Sequence, residues 1–443
     1  MKSRPPASPR NNPDALVAAG FERHRIGDIA GAAPLYARAL KLTPDHPDAL
    51  HLSGLVARAE GRHDAALARI VKACALVPGN AHFESNRAAA LISLARFDDA
   101  LAAAERSIAL LPTHAGAHSN RGAALSALER IEEAAQSYRR AIELDPGSAD
   151  AFNNLANLEQ RRGNLDAAVD LYAKALAAAP NHPHVHSNYG TAIYALHVVG
   201  RREEAAERAR IWRATYPDSP TARHWAAALA GQPAPPRAED GYVTSAFDLF
   251  AATFDTTLAS VGYSAPEGIR AMLEEQWGTP EPRFATLDAG CGTGLAGLVL
   301  RPWSRRLEGV DLSQGMLAHA QTRGIYDELR VGELVADLVA HRYSYDLIVA
   351  ADVFCYFGVI DEALKAARAA LRGGGHIVFS TETMLPEEAG EWVVRPSGRY
   401  AHARGYIEKA VAGAGLKPLQ WRVESPRSEG QKPIPGLIVL AAS

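Results

Sequence analysis

Leu287-Asp288-Ala289-Gly290-Cys291-Gly292-Thr293-Gly294 ends a short apolar run, Phe284–Asp288, and stands directly before a helical pattern, Leu295–Leu300. Three glycines in five residues let the backbone turn sharply, take positive φ and approach a bound molecule closely. Strand, glycine turn and helix in that order open a parallel α/β sheet, whose ligands sit beyond the carboxyl ends of the strands. The pattern continues outward. Leu307–Asp311 reads as a second strand ending in an acid, and Ser313 as the cap of a helix with Met316, Leu317 and Ala320 on one face. Tyr345–Ala351 is a strongly apolar strand, followed by a helix near 360–371, a Gly373-Gly374-Gly375 turn and a strand at His376–Ser380. A helix near 403–414 precedes two closing strands, Pro418–Glu424 and Pro435–Ala442, expected as an antiparallel pair joined by a polar loop.

The first half follows a different rule. Pro44, Pro78, Pro112, Pro146 and Pro180 recur every 34 residues, the length of one helix–turn–helix unit. Twelve residues before each Pro stands Ala32, Ala66, Ala100, Ala134 or Ala168, and five before it Ala39, Ala73, Ser107, Ala141 or Ala175. Gly20, Gly54, Ala88, Gly122 and Ala156 stand twenty-four before it. Small side chains there let paired helices approach, and Tyr36, Tyr138 and Tyr172 are expected to fill the space left. Gly27, Gly61 and Gly163 suit the end of each first helix. This pattern resembles the tetratricopeptide repeat in strict register over about 13–182. A sixth unit begins at Pro183, with a three-residue insertion near 197–199 after which Gly200 takes the turn position. Asn86, Asn120, Asn154 and Asn188 also recur every 34 residues, on first helices. They resemble the asparagine ladder of the repeats in O-linked N-acetylglucosamine transferase. That resemblance implies a concave face binding a protein or peptide partner; bonding between neighbouring repeats is the alternative.

Composition narrows the classes. With 443 residues the chain needs more than one domain, and its 47% hydrophobic and 22% charged content is that of an ordinary globular protein. A net charge of -3 gives no electrostatic case for nucleic acid. Cys74, Cys291 and Cys355 lack metal or disulfide spacing, which points to no metal site and a reducing, cytoplasmic setting. No run of 18 apolar residues predicts a membrane span, and no apolar stretch behind the basic start Met1–Pro6 suggests an export signal. The expected domains are a disordered tail at 1–12, a solenoid at 13–228, a Pro-rich spacer at 229–241 and an α/β domain at 242–443. The oligomeric state is open.

The landmarks of that α/β domain resemble class I S-adenosylmethionine-dependent methyltransferases as a set. A nicotinamide-type loop wants its third glycine at position 295, where Leu295 stands. The Asp288–Gly294 segment instead resembles the family's first motif. The resemblance implies a Rossmann-like, mostly parallel seven-stranded sheet with a C-terminal antiparallel strand, and S-adenosyl-L-methionine as cofactor. It places Asp288, Gly290, Gly292, Gly294, Asp311, Leu312, Met316, Glu333, Leu334 and Asp352 around that cofactor, with Asp311 on the ribose hydroxyls. Three departures stand out: Glu333 where Asp is common, Gly373 where Pro is usual, and no Asn-Pro-Pro-Tyr-type segment after Asp352.

Phe247, Phe250 and Phe254 resemble the aromatic helix that covers the cofactor in small-molecule methyltransferases. Ser397–Tyr406 resembles a segment of bacterial methyltransferases that carry tetratricopeptide repeats. Candidates for catalysis are His402, Tyr356 and Asp352, in a reaction that needs alignment above all and a base only if the acceptor must lose a proton. The expected whole is a methyltransferase with a tetratricopeptide targeting arm. The alternative is an interaction scaffold whose methyltransferase fold binds no cofactor or only senses it. A dehydrogenase fits the glycine spacing poorly. The acceptor, protein or small molecule, is not written in the sequence.

Overall fold

The computed structural model describes residues 12–425, 428–429 and 432–443. The tail expected to be disordered lies, except for Asn12, outside the described residues, as does part of the loop between the last two strands. Contacts divide the chain into two compact units, one ending at Pro180 and the other beginning at Asn181.

The first unit consists of five helical hairpins: α1 Pro13–Arg25 with α2 Ile29–Leu42, α3 Pro47–Ala59 with α4 His63–Leu76, α5 Ala81–Ser93 with α6 Phe97–Leu110, α7 Ala115–Ala127 with α8 Ile131–Leu144, and α9 Ala149–Arg161 with α10 Leu165–Ala178. Small residues sit where the period puts them, and Ala32, Ala66, Ala100, Ala134 and Ala168 are all fully buried. The tyrosines fill the space they leave. A Cβ on Gly20 would come within 2.6 Å of the Tyr36 ring, and one on Gly122 within 2.7 Å of Tyr138.

The turn position reveals a constraint that composition hides. Gly27, Gly61 and Gly163 end their helices at φ of 83°, 74° and 80°, and Ala95 and Glu129, at the same place in their repeats, take φ of 54° and 57°. The hairpin therefore imposes the left-handed conformation whatever the side chain, at a cost of about 1–2 kcal/mol for an L-residue.

The second unit begins with α11 Pro183–Val198, α12 Arg202–Thr215 and α13 Pro220–Ala230. The sixth hairpin, expected in the solenoid, thus belongs by its contacts with the second unit. The insertion is taken up as extra helix: α11 has 16 residues where the earlier first helices have 13. Three helices follow, α14 Asp240–Phe250, α15 Phe254–Ser260 and α16 Ala265–Trp277.

The sheet domain then alternates: β1 Phe284–Ala289, α17 Leu295–Leu300, β2 Ser304–Asp311, α18 Gln314–Thr322, β3 Glu328–Val331, α19 Leu334–Ala340, β4 Tyr345–Ala350, α20 Asp361–Ala370 and β5 Leu371–Thr383. It closes with β6 Trp392–Val394, β7 Tyr400–His402, α21 Arg404–Gly413, β8 Lys417–Glu424, a small hairpin of β9 Ser428–Glu429 and β10 Lys432–Pro433, and β11 Gly436–Ala442. The main order is β3-β2-β1-β4-β5-β11-β8. The first five strands are parallel, and β11 runs antiparallel to both β5 and β8, as expected. The triple glycine is not a free turn: β5 begins at Leu371 and runs through it, with Gly374 at φ 76°.

The Pro-rich segment differs most from its expectation. A spacer would be solvated, yet Pro236 O accepts from the N–H groups of Gly358 and Val359 at 2.8 and 2.7 Å, and Ala238 N–H donates to Tyr356 O at 2.7 Å. Tyr400 Oη donates to Pro235 O at 2.9 Å. Proline gives up its own donor but keeps its carbonyl, so the segment is a strap tied down through acceptors. No helix among the described residues is long and apolar enough to cross a membrane.

Ala95 is exposed and its side chain is free to go. Ala95→Gly is expected to stabilise the third hairpin by about 1 kcal/mol, because relief of the left-handed strain exceeds the added unfolded-state entropy. Slower amide exchange across α6 would show it.

Candidate functional site

The carboxyl ends of β1, β2 and β4 open into a cavity of about 470 Å³. β1 delivers the glycine loop. Gly290, Gly292 and Gly294 take φ of 72°, 53° and 91°. At Gly290 a Cβ would also lie 2.5 Å from Val353 Cγ2, so that position has two reasons to be glycine. β2 ends at Asp311, whose Oδ2 accepts from Gly292 N–H at 2.9 Å and Oδ1 from Ser313 N–H at 2.8 Å. Ser313 Oγ in turn accepts from Met316 N–H at 3.0 Å and caps α18 as expected. Each carboxylate oxygen keeps a lone pair for a ligand hydroxyl.

Of the cofactor residues expected from sequence, Gly290, Gly292, Asp311, Leu312, Glu333, Leu334 and Asp352 line this cavity together with Tyr356. Gly294, Asp288 and Met316 do not. Met316 is fully buried in the core. Asp288 is fully buried too: Tyr326 Oη donates to its Oδ2 at 2.6 Å, while Oδ1 has no partner. Burial pushes its carboxyl up to about 7, against the pull of the Tyr326 bond. Glu333 accepts from Val335 and Ala336 N–H at 3.0 and 2.8 Å, capping α19, and meets Arg237 at 3.3 Å. Its longer side chain is thus spent on the protein itself.

His402 is placed away from the cavity. It is fully buried on β7, with Nδ1 2.6 Å from Thr381 Oγ1 and Nε2 2.7 Å from Phe357 O. Burial pushes its imidazole down to about 4. With both nitrogens engaged it has no lone pair to take a proton from an acceptor.

Its neighbour three positions earlier does reach the cavity. Arg399 lines the cavity, pairs with Asp352 and with Glu382 (Nε to Oε1, 2.5 Å), and donates to Tyr356 Oη at 3.2 Å. Asp352 itself holds φ of 60°, fixed by its N–H donating to Ser380 Oγ at 2.7 Å. Backbone strain of this kind gathers at working sites.

The roof comes from sequence that gave no signal. α11 contributes Ser187 and Thr191, α13 contributes Trp225, and the strap contributes Arg237 and Ala238. Phe247, Phe250 and Phe254 line the cavity as expected, with Phe254 centred 5.9 and 6.0 Å from the other two rings. Asp248 accepts from Gly315 N–H at 3.1 Å, and Asp255 accepts from Thr293 Oγ1 and Arg323, so this aromatic segment is latched to the loops beneath it. Tyr263, between α15 and α16, also faces the cavity.

In the first unit, Asn86 Nδ2 lies 2.8 Å from His51 Nε2, and Asn120 Nδ2 donates to Ser85 O at 2.9 Å. Both amides reach the preceding repeat, the alternative reading of the row. Asn154 is half-buried, and Asn188 lies in the second unit.

The donor set fits S-adenosylmethionine. The glycine loop leaves room for a close backbone approach, Asp311 offers a carboxylate at the second strand end, and aromatic faces suit a sulfonium. The Asp288 environment has a consequence for stability. Its folded-state value, about 7, lies above the ordinary 3.8. The native state therefore holds the proton longer, and stability falls as pH rises from about 4 to about 7. Asp288→Asn is expected to remove that fall, worth about 4 kcal/mol at most. All six tryptophans lie beyond residue 180, so urea titrations followed by tryptophan fluorescence at several pH values check it in this unit.

The comparisons with known proteins agree with this architecture. A family model described as a methyltransferase domain matches residues 287–377. Tetratricopeptide-repeat models match 24–81, 86–149 and 125–190. Methyltransferase-like protein 27 of Homo sapiens is 38% identical over 84 residues, covering 19% of this chain and 34% of that protein. The malonyl-[acyl-carrier protein] O-methyltransferase of Yersinia pestis is 30% identical over 119 residues, 26% of this chain and 44% of that one. The chain spans about half or less of the curated relatives it matches. A thermophilic tetratricopeptide protein of Thermus thermophilus aligns at 25% identity and a TM-score of 0.38, covering 41% of this chain and 98% of that one. The chain thus carries tetratricopeptide repeats between residues 24 and 190 and a methyltransferase domain over residues 287–377.

Proposed function

We propose that the second unit transfers a methyl group from S-adenosylmethionine and that the repeats of the first unit recruit a protein or peptide that is, or carries, the acceptor. The observation that carries the reading is the joint presence of the Gly290–Gly294 loop and the Asp311 carboxylate on one cavity wall at the strand ends. In this reading Asp311 holds the ribose, Leu312 and Leu334 flank the adenine, and the glycine loop faces the methionine portion. The bound cofactor supplies an electrophilic methyl group on a sulfonium. The chain's own residues exclude water and align the acceptor. Phe247, Phe250 and Phe254 cover the site, and Asp352 and Tyr356 hold its floor beside Arg399. Alignment of the reacting atoms supplies most of the acceleration in such a displacement.

Asp311 also ties the two loops together, since it holds Gly292 and Ser313 through their N–H groups. Calorimetric titration of the full chain with S-adenosylhomocysteine is expected to show micromolar binding. Asp311→Ala is expected to weaken it more than a hundredfold, about 3 kcal/mol for the charge-assisted bonds lost. Wild-type protein that folds and does not bind would leave an interaction scaffold. For the arm, an amide on the concave side without a partner in its own unit is the expected contact, and Asn154→Ala should raise the KM for a protein acceptor.

A further inference from the structure

Resting on the methyl-transfer reading, we infer that the acceptor group is an already ionised oxygen, a carboxylate, held by Tyr263, Arg399 and Tyr356, and that the product is a methyl ester. The place is the end of β4, separated by β1 and β2 from the Glu333 side of the cavity.

The chemistry of that end is rich in donors. Tyr263 lines the cavity, and its hydroxyl has no hydrogen-bond partner among the described residues. Burial and the Asp352 carboxylate push its phenol well up, and Arg399 pulls it back. It is therefore a protonated donor on the cavity wall, close to both charges. Arg399 uses three of its five N–H directions, on Glu382, Asp352 and Tyr356. Two remain for a planar acceptor, the geometry in which arginine meets a carboxylate. The Tyr356 phenol is likewise pushed up by burial, so it too keeps its proton.

A base is lacking in the same place. Three carboxylates line the cavity among the described residues, and each is committed. Asp311 takes two backbone N–H groups, Glu333 caps α19, and Asp352 is paired with Arg399. The Cys291 thiol is pushed well up by burial and stays protonated, and His402 lies outside the cavity with both nitrogens engaged. Alcohols, thiols and ammonium groups must shed a proton to attack a methyl group. A carboxylate, with an ordinary value near ~4, has already lost it at neutral pH.

The step then balances without proton transfer. A carboxylate oxygen lone pair forms the O–CH₃ bond as the CH₃–S bond breaks, and the bonding pair stays on sulfur. One negative and one positive charge disappear together, a change that a dry apolar chamber favours. Around the donors the wall is apolar, from Phe250, Leu258, Val261 and Trp225, so the carboxylate is expected at the end of an aliphatic segment.

The test uses the full chain saturated with S-adenosylhomocysteine and titrated calorimetrically with hexanoate and, separately, with hexylamine. Hexanoate is expected to bind at least tenfold more tightly than hexylamine. Tyr263→Phe, which removes one hydroxyl and keeps the ring, is expected to weaken hexanoate at least fivefold and to leave S-adenosylhomocysteine affinity within twofold. Preferential or equal binding of the amine, binding of neither probe, or a Tyr263→Phe protein that holds hexanoate as before overturns the inference. A Tyr263→Phe protein that loses S-adenosylhomocysteine instead also overturns it, because the hydroxyl would then serve the cofactor. Absence of S-adenosylhomocysteine binding by the wild-type chain is the separate failure of the methyl-transfer reading, and this inference falls with it.

Discussion

Two backbone N–H groups from two different loops converge on one carboxylate, that of Asp311. The glycine loop after β1 has three residues at positive φ, and its glycines bring no side chains of their own to fix one shape. Its Gly292 N–H finds Asp311, and so does the Ser313 N–H that opens α18. Burial opposes the charge on Asp311 and raises its carboxyl, while the Ser313 and Gly292 bonds bring it back. The cavity wall is thus tied together by the protein's own hydrogen bonds. Ser313 extends the chain of contacts, since its hydroxyl caps α18 and donates to Asp248 of the covering helix. Loop, helix and cover share one polar thread.

The repeats obey a steric constraint in place of an electrostatic one. Each hairpin needs a left-handed residue between its helices, and the first, second and fourth need a gap opposite Tyr36, Ile70 and Tyr138. Where Gly54 replaces the usual Tyr-facing glycine, its absent Cβ leaves room for Ile70, 2.7 Å away. These demands repeat because each unit meets a neighbour of the same shape. The strain tolerated at Ala95 and Glu129 shows that packing between helices outweighs a local backbone preference.

Local signals were legible in the sequence and long-range ones were not. The period of 34, the glycine loop, Asp311 and the capping role of Ser313 are each written within a few residues, because spacing and turn chemistry act at short range. Tyr263, Trp225 and the strap carry no such mark. Their roles arise when segments distant in the chain meet, as His224 meets Gly398 O at 2.7 Å. His402 misled for the same reason. A histidine in a polar-looking stretch suggests a base, but β7 pairs with β5 and β6 and turns that stretch inward. Arg399, three residues earlier, reaches the cavity because the bend at Gly398, φ 80°, precedes it.

The last hairpin shows how a repeat becomes part of a cavity wall. On α11, Ser187, Gly190 and Thr191 share one face, as residues three and four apart do. Gly190 admits the Trp225 ring, whose Nε1 would lie 2.2 Å from an added Cβ. With the ring seated there, Ser187 approaches Ser245 of α14 at 3.3 Å, and Thr191 turns to the cavity. His224 completes the seam by stacking on Tyr242 at 3.9 Å. In the first and fourth repeats a missing Cβ makes space for a tyrosine within the hairpin. Here it makes space for a tryptophan that also walls the cavity. The same steric device that spaces one helix from the next therefore sets the width of the cavity, through helices that the repeat pattern alone would assign to the solenoid.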